Sequence, residues 1–134
     1  MSQTIEPLRL GVFDTVLMMC GNFGLVGDAE AASTILRRLH ALTSPQGRIV
    51  LDSVDPHVDA DAADLAFQER NCERGCMPGQ VTIRIRYGEC ATPWYDLLNV
   101  SAAELGQLVA GTGWRLALVV EGEPPDYYAV LEKA

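Results

Sequence analysis

Apolar runs and helical periods alternate in the first part of the chain. Residues 11–19 are apolar on both faces, as in a strand buried inside a parallel sheet. Across residues 28–43 apolar positions recur at helical spacing, with acidic residues at the start and basic residues near the end. Pro45 and Gly47 interrupt the pattern, and residues 48–54 form a second apolar strand. Strand, helix and strand in this order predict a right-handed parallel crossover.

The middle of the chain changes to a period of two. Residues 59–70 predict a short helix, and residues 80–89 alternate apolar with polar side chains, as in a half-exposed antiparallel strand. Residues 94–100 are a second extended segment. Residues 91–93 supply a turn between the two, so the pattern predicts an inserted β-hairpin.

The last third of the chain begins with a clear helix start. Ser101 and Glu104 have capping-box spacing, and Val100 and Leu105 stand where a hydrophobic staple closes. Two further extended segments follow and predict a terminal antiparallel pair. They are residues 114–120 and 127–132.

These elements predict one α/β domain over residues 1–134, built on a mixed sheet. It divides into a strand-helix-strand unit at 12–56, an inserted segment with a hairpin at 57–100, and a helix with the terminal strand pair at 101–134.

Composition narrows the classes of partner. The 134 residues are 49% hydrophobic and carry a net charge of -8, which repels nucleic acid phosphates and anionic membrane surfaces. The start resembles no signal sequence, and no apolar run is long enough to span a bilayer. We therefore expect a cytoplasmic protein with a small-molecule partner.

Four cysteines are spread through the chain, and without secretory features they predict reduced thiols. Cys72 and Cys76 have a spacing that a zinc site can use, with Cys90, His57 or His40 as further ligands. A lone C-x3-C is a weak zinc motif, so we predict no metal site.

The segments, taken in order, resemble the C-terminal half of a class I S-adenosylmethionine-dependent methyltransferase. FDTVLMM is similar to the family's fourth strand, GRIVLDSVDP to the fifth, TGWRLALVVEGE to the sixth, and DYYAVLEKA to the antiparallel seventh. QERNCERGCMPGQVTIRIRY with ATPWYDLLNVSAAELGQLV resembles an insertion in a bacterial subgroup. The resemblance implies a partial Rossmann-like fold and methyl transfer from S-adenosylmethionine to a small-molecule acceptor.

The resemblance also implies which residues border the cofactor. In the family the first three strands hold most of S-adenosylmethionine, and no segment here is similar to them. The loop after the fourth strand borders the methionine part of the cofactor, which implies cofactor contacts by Cys20, Gly21, Asn22, Phe23 and Gly24. Asn22 is the expected polar contact, although an Asn also suits a tight strand-to-helix turn.

Substrate contacts are expected from two places. Asp52 and Asp55 lie at the carboxyl end of a parallel strand, where ligands bind in open α/β sheets, although loop capping explains them equally well. The inserted segment supplies a possible substrate lid with His57, Tyr87 and Trp94, accompanied by Arg84, Arg86 and Tyr95. The period-two alternation favours a solvated strand face for the arginines, and Tyr87 and Trp94 also suit packing roles.

Two other functions remain open. Gly21, Gly24 and Gly27, with Asp52 on the next strand, are an alternative NAD-type half site. Their G-x-x-G-x-x-G spacing lacks the G-x-G start of that motif. The other alternative is a non-catalytic half-domain that acts as a binding or interaction module.

The strand at 12–19 has no predicted neighbour on one side. We therefore expect an incomplete fold that needs a partner for cofactor binding, or the product of a shortened reading frame. Its open edge presents roughly four N–H and four C=O groups. We expect association through this edge, most simply a homodimer, otherwise with a separate chain carrying the cofactor half, or a cover formed by residues 5–10.

Overall fold

The computed structural model describes residues 11–134. The proposed cover by residues 5–10 lies outside this part. The elements are β1 (Phe13–Met18), the 3-10 helix η1 (Asn22–Val26), α1 (Ala29–Ala41), β2 (Thr43–Val54), α2 (Ala62–Glu73), β3 (Gln80–Ile83), β4 (Arg86–Tyr87), β5 (Cys90–Ala91), β6 (Tyr95–Leu98), α3 (Ala102–Val109), β7 (Trp114–Glu121) and β8 (Asp126–Lys133).

A mixed four-stranded sheet with the order β1-β2-β8-β7 organises the fold. β1 and β2 are parallel, with Val16 opposite Ile49, which confirms the parallel pairing predicted for this crossover. β8 is antiparallel to both of its neighbours and is inserted between β2 and β7. The α/β class and the mixed sheet are therefore as predicted, and β1 lies at one edge.

Helix α3 begins where the sequence predicts. Ser101 Oγ accepts a hydrogen bond from the Glu104 amide at 3.2 Å, and Glu104 Oε2 accepts one from the Ser101 amide at 2.8 Å. The staple residues Val100 and Leu105 are fully buried. None of the helices in residues 11–134 is long and apolar enough to span a bilayer.

The core lies on the face of the sheet that α1, α3 and η1 cover. It includes Ile49, Leu51, Ala129 and Leu131 from the two central strands. Trp114 closes one end, where its indole Nε1 donates a hydrogen bond to the Leu36 carbonyl at 2.8 Å. This packing orders β2 and β8, whose ends border the candidate site.

The inserted segment differs from the prediction of one long hairpin with its turn at residues 91–93. Only Gln80–Ile83 of the alternating segment pairs with Tyr95–Leu98, and a second small hairpin is formed by β4 and β5. Its turn is at residues 88–89, where Gly88 has a φ of 57°. The Ile85 amide donates to Thr92 Oγ1, and the Thr92 amide donates to the Ile85 carbonyl, which closes this outer loop.

Candidate functional site

Asp52 joins the carboxyl ends of β1 and β2. Its two carboxylate oxygens accept hydrogen bonds from the backbone amides of Cys20 and Gly21, each at 2.8 Å. Cys20 has a left-handed φ of 59°, unusual for a residue with a side chain. Because charged acceptors make the stronger hydrogen bonds, Asp52 fixes the loop that leaves β1.

A cavity of about 200 Å³ lies beside this carboxylate. It brings together four residues predicted from the sequence, namely Cys20, Gly21, Gly24 and Asp52. Sequence reasoning missed the rest of its lining, which is Ser53, Val54, Asn99, Asp126 and Tyr128. Asp126 and Tyr128 reach the cavity because antiparallel β8 starts where β2 ends. A terminal antiparallel strand was predicted, but its position beside β2 was not.

The other two residues of the predicted cofactor loop lie outside this lining. The Phe23 side chain is fully buried in the core, which leaves it no surface for a ligand. Asn22 is exposed and begins η1, and its amide donates to the Met19 carbonyl at 3.3 Å. Its position fits the tight-turn interpretation.

Gly24 has a packing role that the G-x-x-G-x-x-G spacing does not reveal. A Cβ added there would lie 3.0 Å from Leu97 Cδ1 and 3.1 Å from the Leu98 carbonyl oxygen. The glycine thus lets η1 approach β6 closely. The inserted segment is held directly against the loop that borders the cavity.

The glycine turn offers few free amides to a phosphate. The Gly21 amide is bound by Asp52, the Gly24 amide donates to the Gly21 carbonyl at 3.0 Å, and the Gly27 amide donates to the Gly24 carbonyl at 3.1 Å. Asp52 is itself engaged by two amides, so it is not free to bind a ribose. This geometry disfavours the NAD-type interpretation.

His57 and Asp55 belong to a separate network. The Asp55 carboxylate accepts a hydrogen bond from the His57 amide at 2.9 Å, as a loop cap does. The His57 ring lies between Gln68 Oε1, 3.1 Å from Nδ1, and Glu104 Oε1, 2.9 Å from Nε2. Neither Asp55 nor His57 lines the cavity of about 200 Å³.

Both neighbours of the His57 ring present oxygen acceptors. The Gln68 amide nitrogen donates to the Pro56 carbonyl at 2.7 Å, which turns its oxygen toward Nδ1. A doubly protonated ring satisfies both contacts, and a neutral ring satisfies only one. The hydrogen bond to Glu104 raises the pKa of His57 above 6.5, against the opposing effect of partial burial. His57 therefore links α2 to the start of α3.

Tyr87 and Trp94 lie on the inserted segment, away from the cavity lining. Their side chains are 89% and 62% exposed, and the Arg84 guanidinium lies 4.7 Å from the centre of the Trp94 indole ring. Arg84 and Arg86 are exposed, as the alternation predicts. The structure thus places these aromatic residues on a projecting surface.

The cysteines do not assemble into a metal site in the described part of the chain. All four carry free thiols. No three His, Cys, Asp or Glu side chains of residues 11–134 group as a metal ion requires.

Solved structures supply the comparison, because no family model matches the sequence and no curated protein matches it significantly. A methyltransferase from Bacteroides fragilis, crystallised with S-adenosylhomocysteine, is 26% identical over 96% of this chain and 51% of its own, with a TM-score of 0.74. The CcbJ methyltransferase of Streptomyces caelestis matches 95% of this chain and 63% of its own at 12% identity and a TM-score of 0.65. A methyltransferase from Methanosarcina mazei matches 92% and 60% at 13% identity and a TM-score of 0.64.

The fold is a mixed α/β fold of the Rossmann-like type. This fold matches part of an S-adenosylmethionine-dependent methyltransferase, as the sequence predicts. The chain spans about half the length of the Bacteroides fragilis protein. The two more distant structures support the fold alone.

The described residues fit only part of the cofactor that this fold implies. Sites for small molecules and cofactors usually occupy roughly 300–1,000 Å³, and the cavity beside Asp52 measures about 200 Å³. The loop amides of Cys20 and Gly21 are already bound by Asp52. The cavity therefore resembles one wall of a larger site.

Proposed function

We propose that the chain forms the acceptor side of a methyltransferase site and takes part in methyl transfer from S-adenosylmethionine to a small molecule. The observation that carries the proposal is the Asp52 bridge, which orders the loop after β1 beside a cavity at the carboxyl ends of β1 and β2. Ligands in open α/β sheets bind at this edge. The likeness to a methyltransferase crystallised with S-adenosylhomocysteine supports the choice of cofactor.

The cofactor supplies an activated methyl group on its sulfonium, and the protein's contribution is to position the reactants. Asp52 would hold the cavity wall in place through the two loop amides. Asp126, Tyr128 and Asn99 would supply polar and aromatic surface to the acceptor or to the methionine part of the cofactor. The net charge of -8 favours a small acceptor over a nucleic acid.

Binding of S-adenosylmethionine beside Asp52 needs protein surface beyond the described residues. We therefore expect calorimetry of the 134-residue chain with S-adenosylhomocysteine to give weak heat or none. Micromolar binding would show that the described cavity suffices, and would contradict the need for added surface.

A graft tests whether the described residues complete a cofactor-binding methyltransferase site. Residues 13–134 would replace the matched part of the Bacteroides fragilis methyltransferase, and circular dichroism and cooperative melting would establish that the graft folds. We expect the folded graft to bind S-adenosylhomocysteine, and Asp52→Ala to weaken that binding at least tenfold. Asp55→Ala, which removes a carboxylate outside the cavity, is the matched control. A folded graft that binds no S-adenosylhomocysteine would contradict the proposal.

One observation favours the second candidate, a non-catalytic interaction module. Large apolar side chains are exposed on the sheet, among them Leu17, Leu118 and Val120. Exposed apolar patches mark interaction surfaces. A folded graft without cofactor binding, together with stable self-association of the chain, would support this candidate instead.

A further inference from the structure

The charged side chains that line the cavity beside Asp52 all have the same sign. Among residues 11–134 the lining contains two carboxylates, Asp52 and Asp126, and no Lys, Arg or His side chain. Asp52 uses both of its oxygens for the loop amides, whereas the Asp126 side chain is exposed at the cavity. The cavity therefore repels a carboxylate or a phosphate and attracts a cation.

An aromatic ring lies beside the exposed carboxylate. Tyr128 pairs directly with Asp52 across β8 and β2, and it follows Asp126 by two residues on the same strand. Paired residues, and residues two apart on one strand, share a face of the sheet, so these three side chains line the cavity together. The face of an aromatic ring attracts a cation, and a neighbouring carboxylate adds its full charge. This combination suits an ammonium group.

The turn between β7 and β8 holds Asp126 and Tyr128 in place. The Gly122 amide donates to the Asp126 carbonyl at 3.1 Å, and the Asp55 amide donates to the Pro125 carbonyl at 3.0 Å, which joins the turn to the end of β2. A Cβ added at Gly122 would lie 3.1 Å from Cε2 of Tyr128, so the ring packs closely on this glycine. Groups that are already ordered lose less entropy when a ligand binds.

We propose that the methyl acceptor is a small amine, and that Asp126 and Tyr128 select it. The proposal rests on the methyltransferase role proposed for the chain and names the class of its acceptor. Asp126 pairs with the ammonium form of the substrate, and the Tyr128 ring lies against it. The same negative charge rejects acceptors that carry a carboxylate or a phosphate at this position.

The transfer moves a positive charge toward Asp126. The bound ammonium first gives one proton to solvent, and the neutral nitrogen then attacks the methyl carbon. The N–C bond forms as the C–S bond breaks, and the electron pair of the C–S bond stays on sulfur, which becomes the neutral thioether of S-adenosylhomocysteine. The positive charge is then on the methylated nitrogen. The Asp126 carboxylate stabilises this charge as it develops.

NMR titration of the 134-residue chain tests the selection. Benzylamine, benzyl alcohol and benzoate share one ring, and near pH 7 they are a cation, a neutral molecule and an anion. We expect benzylamine to shift the amide resonances of Asp126 and Tyr128 and to bind about fivefold more tightly than benzoate or more, in about 150 mM salt. Asp126→Asn should weaken benzylamine about fivefold, as the loss of an exposed charge pair does.

A matched control separates this site from general attraction of cations by a net charge of -8. Glu123→Gln removes an exposed carboxylate of the same turn that lies outside the cavity lining. It should leave the benzylamine dissociation constant unchanged. Equal binding of benzylamine and benzoate would overturn the proposal, and so would a benzylamine constant that Asp126→Asn does not raise.

The cofactor also carries an ammonium group, so a second titration identifies which ligand uses Asp126. In the folded graft saturated with S-adenosylhomocysteine, we expect benzylamine still to shift Asp126 and Tyr128. Loss of these shifts would assign the carboxylate to the cofactor and overturn the proposal. A folded graft that binds no S-adenosylhomocysteine would instead contradict the methyltransferase role, whereas the preference for an amine over an acid is measured without the cofactor.

Discussion

The Nε2 atom of His57 lies 2.9 Å from Oε1 of Glu104, across 47 residues of sequence. Glu104 uses its other oxygen for the capping box at the start of α3. One carboxylate therefore closes a helix start and holds the imidazole that follows β2. The His57 ring thus connects Gln68 of α2 in the inserted segment to Glu104 at the start of α3.

We predict that the imidazole of His57 titrates above 6.5. The hydrogen bond and charge of Glu104 favour the protonated ring, which raises the pKa of His57. Glu104→Gln should lower it toward 6.5 while keeping the capping box, since Gln also serves at this position. An NMR pH titration of the His57 ring in the wild-type chain and in Glu104→Gln would measure the change. A His57 pKa that Glu104→Gln leaves unchanged would contradict the assignment.

The same pair predicts how stability depends on pH. Because the folded-state pKa of His57 is raised, its contribution to the free energy of unfolding is complete below about pH 6.5 and is lost as pH rises through the folded pKa. The wild-type chain should therefore lose stability relative to His57→Gln over this interval. Urea denaturation at a series of pH values would measure the difference. A constant difference would show that the ring carries no linked proton.

Asp52 should contribute more to stability than its partial exposure suggests. Asp52→Asn leaves one side-chain acceptor for two loop amides, and hydrogen bonds to charged groups contribute about 1.5–3 kcal/mol each. We predict a loss of about 1–2 kcal/mol in the free energy of unfolding. Asp55→Asn is the control, because that carboxylate accepts one local amide and should cost about 0.5 kcal/mol or less. Equal losses in both variants would argue against the bridge.

Tyr127 is predicted to titrate apart from the other tyrosines. Burial raises its pKa to about 12. Its hydroxyl donates a hydrogen bond to the buried Val100 carbonyl at 2.8 Å. Spectrophotometric titration should show one of the four tyrosines ionising late, and Tyr127→Phe should remove that step. The substitution should also cost about 1–2 kcal/mol by leaving the Val100 carbonyl unpaired. A late step that survives Tyr127→Phe would assign it to another residue.

Local sequence signals predicted the fold well where neighbouring residues decide the structure. The capping box at Ser101 predicted the start of α3, and Asp28 accepts a hydrogen bond from the Ala31 amide at 2.8 Å, as an N-cap does. The alternation over residues 80–89 predicted exposed arginines correctly, but Ile85 and Tyr87, which it assigned to a buried face, are exposed, and it did not predict the pairing. Alternation assigns a side chain to a face, and it does not identify the partner strand.

The candidate site depends on pairings that no short segment encodes. Asp52 was predicted from its place at the carboxyl end of a parallel strand, and Cys20 and Gly21 were predicted from the resemblance to the family's loop after the fourth strand. Asp126 and Tyr128 were missed because they enter the cavity through the insertion of β8 beside β2. Continuous apolar strands predict burial on both faces but not which layer covers each.

Two glycines in the inserted segment should lose stability to different extents when alanine replaces them. At Gly79 an added Cβ would overlap the carbonyl oxygen of Asn99, whose own amide donates to the Gly79 carbonyl at 3.0 Å. Backbone must move to relieve that overlap, so we predict a loss of about 3 kcal/mol or more for Gly79→Ala. At Gly75 the space is open and only the φ of 76° opposes alanine, which predicts a loss of about 1 kcal/mol.

Urea denaturation would compare the two variants, and the amide resonance of Asn99 would report the local change. Because Asn99 also lines the cavity, Gly79→Ala should shift that resonance together with those of Cys20 and Gly21. Gly75→Ala should leave all three in place. If both variants lost the same stability, the close approach of Gly79 to Asn99 would not be what holds β3 against the end of β6.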